Sequence, residues 1–497
     1  LFGDRAGNPF CAEKAKVKEM KLNIPPSIFR EYDIRGIAGR DVSAEFAECL
    51  GKAYALFVAG HKPVAGRKNL TVSVGWDCRL TSDSYAEALV SGLRQGGLDV
   101  IRLGVCPTPL TYFSVFHLDL DGGIMITGSH NPADYNGFKT CVGKDTIYGT
   151  QIQEMRALME KVNSGYQAPT VAEGKVSDFE IIPAYINYLL KNARPLKPKK
   201  IVLDAGNGTA STVAPELFRK LGAEVFPLFC ELDGRFPNHH PDPTVPENLK
   251  QLVAEIKKHK ADFGIAFDGD SDRIGLVDEK GRIIFGDELM VLFSRSVLKE
   301  NPGATIISEV KSSHKLYNDI AAHGGKPIMW KTGHSLIKSK MKETKAALAG
   351  EMSGHIFFAD RYFGFDDAIY AALRVYEIAS DAKEPLSSLL ADLPHTVCTP
   401  EIRVDCEEEK KFRLVEETKN LLAKDHKIND IDGVRVDFGD AWGLVRASNT
   451  QPVLVLRFEA PTAARMNEVR DVVEAALKKA ALKIGHHAID TSVSGGH

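Results

Sequence analysis

One unit recurs three times along the 497-residue chain: an apolar strand, a short polar turn, an amphipathic helix, glycine, then a second apolar strand. The first copy has strands at 70–74 and 100–103 around a helix near 82–95, with Gly75-Trp76-Asp77-Cys78-Arg79 as the turn and Gly96-Gly97 closing the helix. The second runs 201–204, Ala205-Gly206-Asn207-Gly208, a helix near 211–221, Gly222 and 225–228. The third runs 305–308, Glu309-Val310-Lys311, a helix near 313–322, Gly324-Gly325 and 327–330. Strand–helix–strand alternation with glycine closing each helix predicts α/β units whose strands pair largely in parallel. Copies spaced by roughly 100–130 residues are too far apart for a solenoid, whose repeats run roughly 20–50.

The last hundred residues follow another pattern. A strand at 401–405 precedes a charged amphipathic helix at 407–424, an alternating segment at 434–438 and a second β pair. The closing helix carries Met466, Val469, Val473 and Leu477 on one face. The expected fold class is therefore α/β: three tandem similar α/β domains with mixed sheets, plus a smaller C-terminal α+β domain. Polar, Gly and Pro residues near 163–175, 280–285 and 383–397 put the linkers there. The expected divisions are an N-terminal extension at 1–22, read as disordered, then 23–174, 175–282, 283–394 and 395–497.

Such a chain is too long for one core. Its formal net charge of −3 gives no reason to expect nucleic acid or an anionic membrane as partner. An anionic substrate would need a local basic site. No apolar stretch reaches membrane-spanning length, and the first twenty-two residues lack a signal-peptide core. Eight cysteines without a C-x-x-C pair or zinc-like clustering suit reduced thiols in a cytoplasmic protein.

Chemistry is legible where periodicity stops. In the first domain the apolar run ending at Thr127 leads into Gly128-Ser129-His130-Asn131-Pro132, then Tyr135-Asn136-Gly137-Phe138-Lys139. Gly128 allows a turn presenting the Ser129 hydroxyl, and Lys139 could fold back across it if the Tyr-Asn-Gly stretch turns. Taken alone this segment is an ordinary turn. In the second domain Asp268-Gly269-Asp270-Ser271-Asp272-Arg273 spaces three carboxylates at i, i+2 and i+4 between alternating strands. Their mutual repulsion calls for a cation, and hard oxygen ligands suit Mg²⁺ or Ca²⁺, with Mg²⁺ favoured if a phosphate supplies another ligand. An EF-hand would also use Glu279, but Arg273 stands where that loop needs Gly. A phosphatase using Asp268 as nucleophile and a solvated acidic turn are the other readings.

The third domain offers Gly350-Glu351-Met352-Ser353-Gly354-His355 with Lys331-Thr332-Gly333-His334 upstream. A carboxylate and a hydroxyl two residues apart can pair with vicinal sugar hydroxyls, and both histidines can titrate near neutrality. The fourth offers Arg446-Ala447-Ser448-Asn449-Thr450 with Arg457 on the next strand, a cradle for a phosphate dianion or a plain hairpin turn. Arg30-Glu31-Tyr32-Asp33-Ile34-Arg35 adds a further polar cluster.

Together, and in this order, Thr-Gly-Ser-His-Asn-Pro, Asp-Gly-Asp-Ser-Asp-Arg, Gly-Glu-Met-Ser-Gly-His and Arg-Ala-Ser-Asn-Thr resemble the α-D-phosphohexomutase superfamily, closest to its bacterial phosphomannomutase/phosphoglucomutase members. The resemblance extends from about residue 24 to about residue 479. It implies four domains around a central cleft and reversible phosphoryl transfer between C1 and C6 of mannose or glucose phosphates. It further implies Ser129 as phosphoserine, with Mg²⁺ held by Asp268, Asp270, Asp272 and the phosphate on Ser129, and glucose 1,6-bisphosphate as intermediate and activator. Glu351 and Ser353 would read the sugar. Arg446, Ser448, Asn449 and Thr450 would grip the phosphate that does not move. Tyr32, Arg35, His130, Lys139, Arg273, Lys311, His334 and His355 would line the cleft, with Lys139, His334 and His355 as acid/base candidates. A monomer is expected, with a dimer as the alternative. A phosphoglucosamine or N-acetylglucosamine phosphate mutase, a phosphoserine-dependent hydrolase and a non-catalytic phosphosugar binder are the competing functions. Met352 leans towards unsubstituted hexoses.

Overall fold

The three-fold repeat survives in the computed structural model as one strand arrangement built three times. Residues 22–61, 69–166, 172–449, 451–486 and 489–491 are described. In the first unit Thr71–Trp76 lies between parallel partners Asp99–Val105 and Gly122–Ile126, and Tyr135–Val142 returns antiparallel on the latter. In the second, Lys200–Asp204 lies between Glu224–Leu228 and Phe263–Phe267, with Ile274–Asp278 returning. In the third, Thr305–Glu309 lies between Lys326–Trp330 and Leu348–Gly350, with Ile356–Phe358 returning. The third strand of each unit is buried at every position, because helices cover both faces of a parallel sheet. The glycines that close the repeated helices, Gly97, Gly222 and Gly324, take φ of 86°, 90° and 79°.

The loop between the third strand and its antiparallel return is thus the same topological position in each copy. It holds Ser129 in the first unit, Asp268, Asp270 and Asp272 in the second, and Glu351 to His355 in the third. All three loops leave the C-terminal ends of parallel strands, where α/β sheets place their ligands.

Several expected boundaries shift. The helix expected near 211–221 is split into a 3₁₀ turn, Thr209–Thr212, and a helix, Ala214–Lys220, because Pro215 fits only the first turn of a new helix. Val176–Asp178 pairs with Asp99–Val105, and Ile283–Ile284 pairs with Ile274–Asp278, so the first two sheets run past the divisions drawn at 174 and 282. Residues 1–21 of the expected extension lie outside the described residues, but Leu22 is docked: its N–H and C=O bond the Asn163 side chain at 3.0 and 2.7 Å.

The fourth unit is a six-stranded antiparallel sheet covered by Lys411–Leu422 and Ala463–Lys483. It has its own core around Leu414, Leu456, Phe458 and Leu477. By contrast, one apolar cluster runs through the first three units, joining Phe113, Tyr185, Phe218, Phe293 and Tyr376. Among the described residues, Val310, Trp442 and Leu444 form a small buried apolar patch between third and fourth. Among the described residues no helix is long and apolar enough to cross a membrane, and the seven cysteines there are unbridged.

Candidate active site

Ser129 sits at φ 49°, a left-handed conformation that disfavours a residue with a Cβ. Arg79 holds it there. The buried guanidinium pairs with Asp77 at 3.1 Å and donates to the carbonyls of Ser129 at 2.8 Å, Asn131 at 2.6 Å and Tyr135 at 3.0 Å. The Thr127 hydroxyl accepts from the Ser129 N–H at 2.8 Å. The hydroxyl so presented donates to Asp268 Oδ2 at 2.9 Å and lies 3.1 Å from His130 Nδ1. Burial and the cations Arg273 and Arg35 hold the His130 imidazole well below its usual range. Arg35 itself reaches back to Asn131 at 2.5 Å.

The aspartate loop wraps around its first carboxylate: the N–H groups of Asp272 and Arg273 donate to Asp268 Oδ1 at 3.0 and 3.1 Å. Carboxylate oxygens of Asp268, Asp270 and Asp272 all lie within 4.8 Å of one another, fully buried. Lys139 bridges Asp270, at 2.6 Å, and Asp272. It does so from inside the strand Tyr135–Val142, so the Tyr-Asn-Gly stretch is not the turn that the sequence suggested. Burial alone would lower the Lys139 ammonium, but Asp270 and Asp272 outweigh it and hold it above its usual value. Burial likewise opposes ionisation of Asp270, yet Lys139 and the Thr108 hydroxyl, 2.5 Å away, hold it below the carboxylate range. Burial, Asp272 and Asp270 push Asp268 well above that range. One oxygen each of Asp270 and Asp272 is buried with no hydrogen-bond partner. Three crowded carboxylates with two spare oxygens suit a small hard cation. The loop is flanked by strands, as no EF-hand is, and Glu279 instead accepts from Ser387.

The third loop closes over this centre. Arg273 Nε donates to His355 Nε2 at 3.0 Å, joining second and third units. The His334 and His355 rings stack at 5.4 Å. Burial and Lys338 keep His334 well below its usual range. Glu351 is buried, which raises its carboxyl, and it accepts from the Gly333 N–H at 2.7 Å. Ser353 is half-buried two residues on. The Tyr32 hydroxyl donates to Thr332 O at 2.8 Å and accepts from Asn449 Nδ2 at 3.2 Å, linking first, third and fourth units.

From the fourth unit, Arg446 pairs with Asp432 at 3.0 Å and Ser448 accepts from the Gln451 N–H at 3.2 Å. Thr450 lies outside the described residues. Lys311 pairs with Glu401 at 3.1 Å, and its carbonyl accepts from Arg457 at 2.7 Å, so this loop is held across the junction of third and fourth units. Hydrogen bonds, ion pairs and ring contacts therefore link Ser129, the three aspartates, Lys139, Arg273, His355 and His334, and join Tyr32 to Asn449. Sequence reasoning missed Arg79, Thr108, Lys338 and Asp366. Arg79 lay in a turn already visible as polar. The Phe365-Asp366-Asp367 run carried no spacing signal at all.

Family models for phosphoglucomutase/phosphomannomutase match in order: alpha/beta/alpha domain I at 26–165, domain II at 183–281, domain III at 285–397 and the C-terminal domain at 401–476. A phosphomannomutase/phosphoglucomutase of Pseudomonas putida is 47% identical over 450 residues, 90% of this chain and 95% of that protein. A phosphoglucomutase of Neisseria gonorrhoeae is 44% identical over 92% of this chain and 98% of that protein. The crystal structure of a phosphoglucomutase/phosphomannomutase family protein from Burkholderia thailandensis superposes with a TM-score of 0.86 at 41% identity, covering 94% of this chain and all of that one. With four matched domains in sequence and relatives near half identity along almost its whole length, the chain belongs to the phosphoglucomutase/phosphomannomutase family.

Proposed function

We propose that this enzyme is a phosphohexose mutase that interconverts the 1- and 6-phosphates of mannose and glucose, through phosphorylated Ser129 and a hexose 1,6-bisphosphate. The observation that carries the reading is the Ser129 hydroxyl, buried at the tip of a strained turn and 2.9 Å from a cluster of three aspartates. A relative at 47% identity named for both substrates and one at 44% named phosphoglucomutase support it.

In the forward half-reaction a sugar hydroxyl attacks the phosphoserine. The new P–O bond forms as the P–Oγ bond of Ser129 breaks, giving the bisphosphate and a free serine. The bisphosphate then turns over, and Ser129 Oγ takes back the other phosphoryl group. Asp268, Asp270 and Asp272, with a phosphate oxygen on Ser129, would hold Mg²⁺, which when bound neutralises charge on the moving group. Lys139, kept charged by two aspartates, supplies further compensation with Arg35 and Arg273. A lysine so held is a poor base, which leaves His355 as the group that takes the hydroxyl proton, with His334 stacked against it. Glu351 and Ser353 read the sugar hydroxyls, while Lys311, Arg446, Ser448, Asn449 and Thr450 grip the other phosphate. Closure of the fourth unit keeps water from the phosphoserine. One chain supplies every loop, which supports a monomer.

The test is Ser129→Ala with glucose 1,6-bisphosphate supplied. Interconversion of glucose 1-phosphate is lost, intact mass no longer detects a bound phosphoryl group, and EDTA abolishes wild-type turnover. Full turnover by the variant overturns the reading, and phosphate release without isomerisation makes the enzyme a hydrolase.

A further inference from the structure

Asp366 is a fully buried carboxylate that the reaction as described leaves without a task. Its backbone is fixed by a bridge to Phe357, two residues beyond His355 at the end of the sugar loop. Its side chain touches three groups. Oδ2 lies 3.1 Å from His355 Nδ1 and 3.7 Å from His334 Nδ1, and Oδ1 accepts from Lys338 Nζ at 3.0 Å. Lys338 follows His334 by one helical turn on His334–Thr344, so both reach Asp366 from one helix face.

The hydrogen bonds define the His355 tautomer. Arg273 Nε can only donate, so His355 Nε2, 3.0 Å from it, must be the acceptor. The ring proton of the neutral imidazole is therefore on Nδ1, which faces Asp366. Asp272 Oδ1 is farther from that nitrogen, at 3.6 Å. Although burial opposes it, Lys338 and then His355 hold Asp366 ionised, well below the usual carboxylate range. The ionised carboxylate 3.1 Å from Nδ1 favours the Nδ1–H tautomer electrostatically, as carboxylates beside histidines do in other sites, although Nδ1 and Oδ2 are not aligned for a hydrogen bond.

We propose that Asp366 is the positioning residue of the proton-accepting histidine: it keeps His355 in the Nδ1–H form, so that the Nε2 lone pair is available to the reacting hydroxyl once Arg273 turns to the phosphate. Lys338 holds Asp366 in place and charged. Lys338 occupies Asp366 Oδ1, while Oδ2 has no hydrogen-bond partner and lies with Asp272 and His355 in a group that could itself hold an ion, so the response to Mg²⁺ is read alongside the tautomer. The inference rests on the reading of His355 as the proton acceptor.

Asp366→Asn in the full chain tests it, since the amide keeps the size of the carboxylate but can turn an N–H towards Nδ1. kcat is expected to fall about 100-fold with KM changed less than about threefold, as for other histidine-orienting carboxylates. Long-range ¹H–¹⁵N spectra, with His355→Gln to assign the signal, are expected to move His355 from the Nδ1–H to the Nε2–H pattern. Half-saturation by Mg²⁺ stays unchanged. Lys338→Met, read by the same spectra and kinetics, gives a smaller loss in the same direction and serves if the asparagine variant does not fold. An unchanged kcat, an unchanged tautomer alongside lost activity, or a tenfold weaker response to Mg²⁺ overturns the proposal. If His355→Ala keeps full turnover, it is the reading of His355 that fails, while the tautomer shift still reports what Asp366 does.

Discussion

The carbonyl oxygen of Ser129 lies only 2.5 Å from the point where a Cβ on Gly269 would stand. The serine loop and the aspartate loop thus meet backbone against backbone, and the meeting sets the distance between Ser129 Oγ and Asp268. Gly269→Ala is expected to force these loops apart. Overpacking of this kind costs about 1–3 kcal/mol. Turnover should fall at least about tenfold, because transfer tolerates little misplacement. Thermal melting and steady-state kinetics on the same preparation check both parts, and an alanine variant with native activity would show the contact to be slack.

Lys139 is the only cation bonded to both Asp270 and Asp272 among the described residues, and all three are buried. Lys139→Met leaves two buried carboxylates short of a counter-charge, and breaking a buried pair in this way costs about 3–5 kcal/mol. In EDTA the variant should therefore melt well below the wild type. Added Mg²⁺ should raise its melting temperature more than it raises that of the wild type. Equal metal-induced shifts in the two proteins would count against a metal bound at these carboxylates.

Tyr32 bonds the third unit through Thr332 O and the fourth through Asn449. Tyr32→Phe removes both bonds and leaves the ring against His334, 5.6 Å away. Since each hydrogen bond is worth about 1 kcal/mol net, losing both should raise KM for glucose 1-phosphate up to about thirtyfold with little change in melting temperature. Kinetics over a substrate series would reveal it; a loss confined to kcat would argue that Tyr32 acts on the chemistry.

Asp367 caps the helix Ala368–Asp381, accepting from the Tyr370 N–H at 2.8 Å and from the hydroxyls of Tyr185 and Tyr362 at 2.7 Å each. Burial pushes its carboxyl up from 3.8 to about 6. The folded state therefore favours the protonated form. The contribution of this group is greatest below pH 4 and is lost as pH rises to 6, by about 3 kcal/mol if the whole shift is expressed. Asp367→Asn keeps a good cap and abolishes the titration. The difference in unfolding free energy between wild type and variant, followed from pH 4 to 7, should move against the wild type across pH 4–6 and then level off.

Much of this was legible in the chain. The repeated strands and helices follow from apolar periodicity, which local sequence carries directly. The loops at Ser129, Asp268 and Glu351 stand out because polar residues interrupt that periodicity. What stayed hidden depends on distances between segments far apart in sequence. Arg79 is a site residue only because the carbonyls of Ser129, Asn131 and Tyr135 converge on it. Asp366 matters only because the Phe357 bridge delivers it beneath His355. The limits of the first two sheets were misjudged for the same reason: Val176–Asp178 and Ile283–Ile284 are short, and pairing partners, not propensity, make them strands.

The recurring loop position has a consequence for how such a protein can change. Under the proposed assignment, the copy that reads the sugar is not the copy that carries the phosphoryl group, nor the one that neutralises it. Substitutions at Glu351, Met352 or Ser353 can therefore widen or narrow the range of accepted sugars while Ser129 and the three aspartates are left alone. Selectivity and reactivity are encoded at separate addresses of one scaffold, so laboratory evolution could retarget the enzyme by randomising a single hairpin.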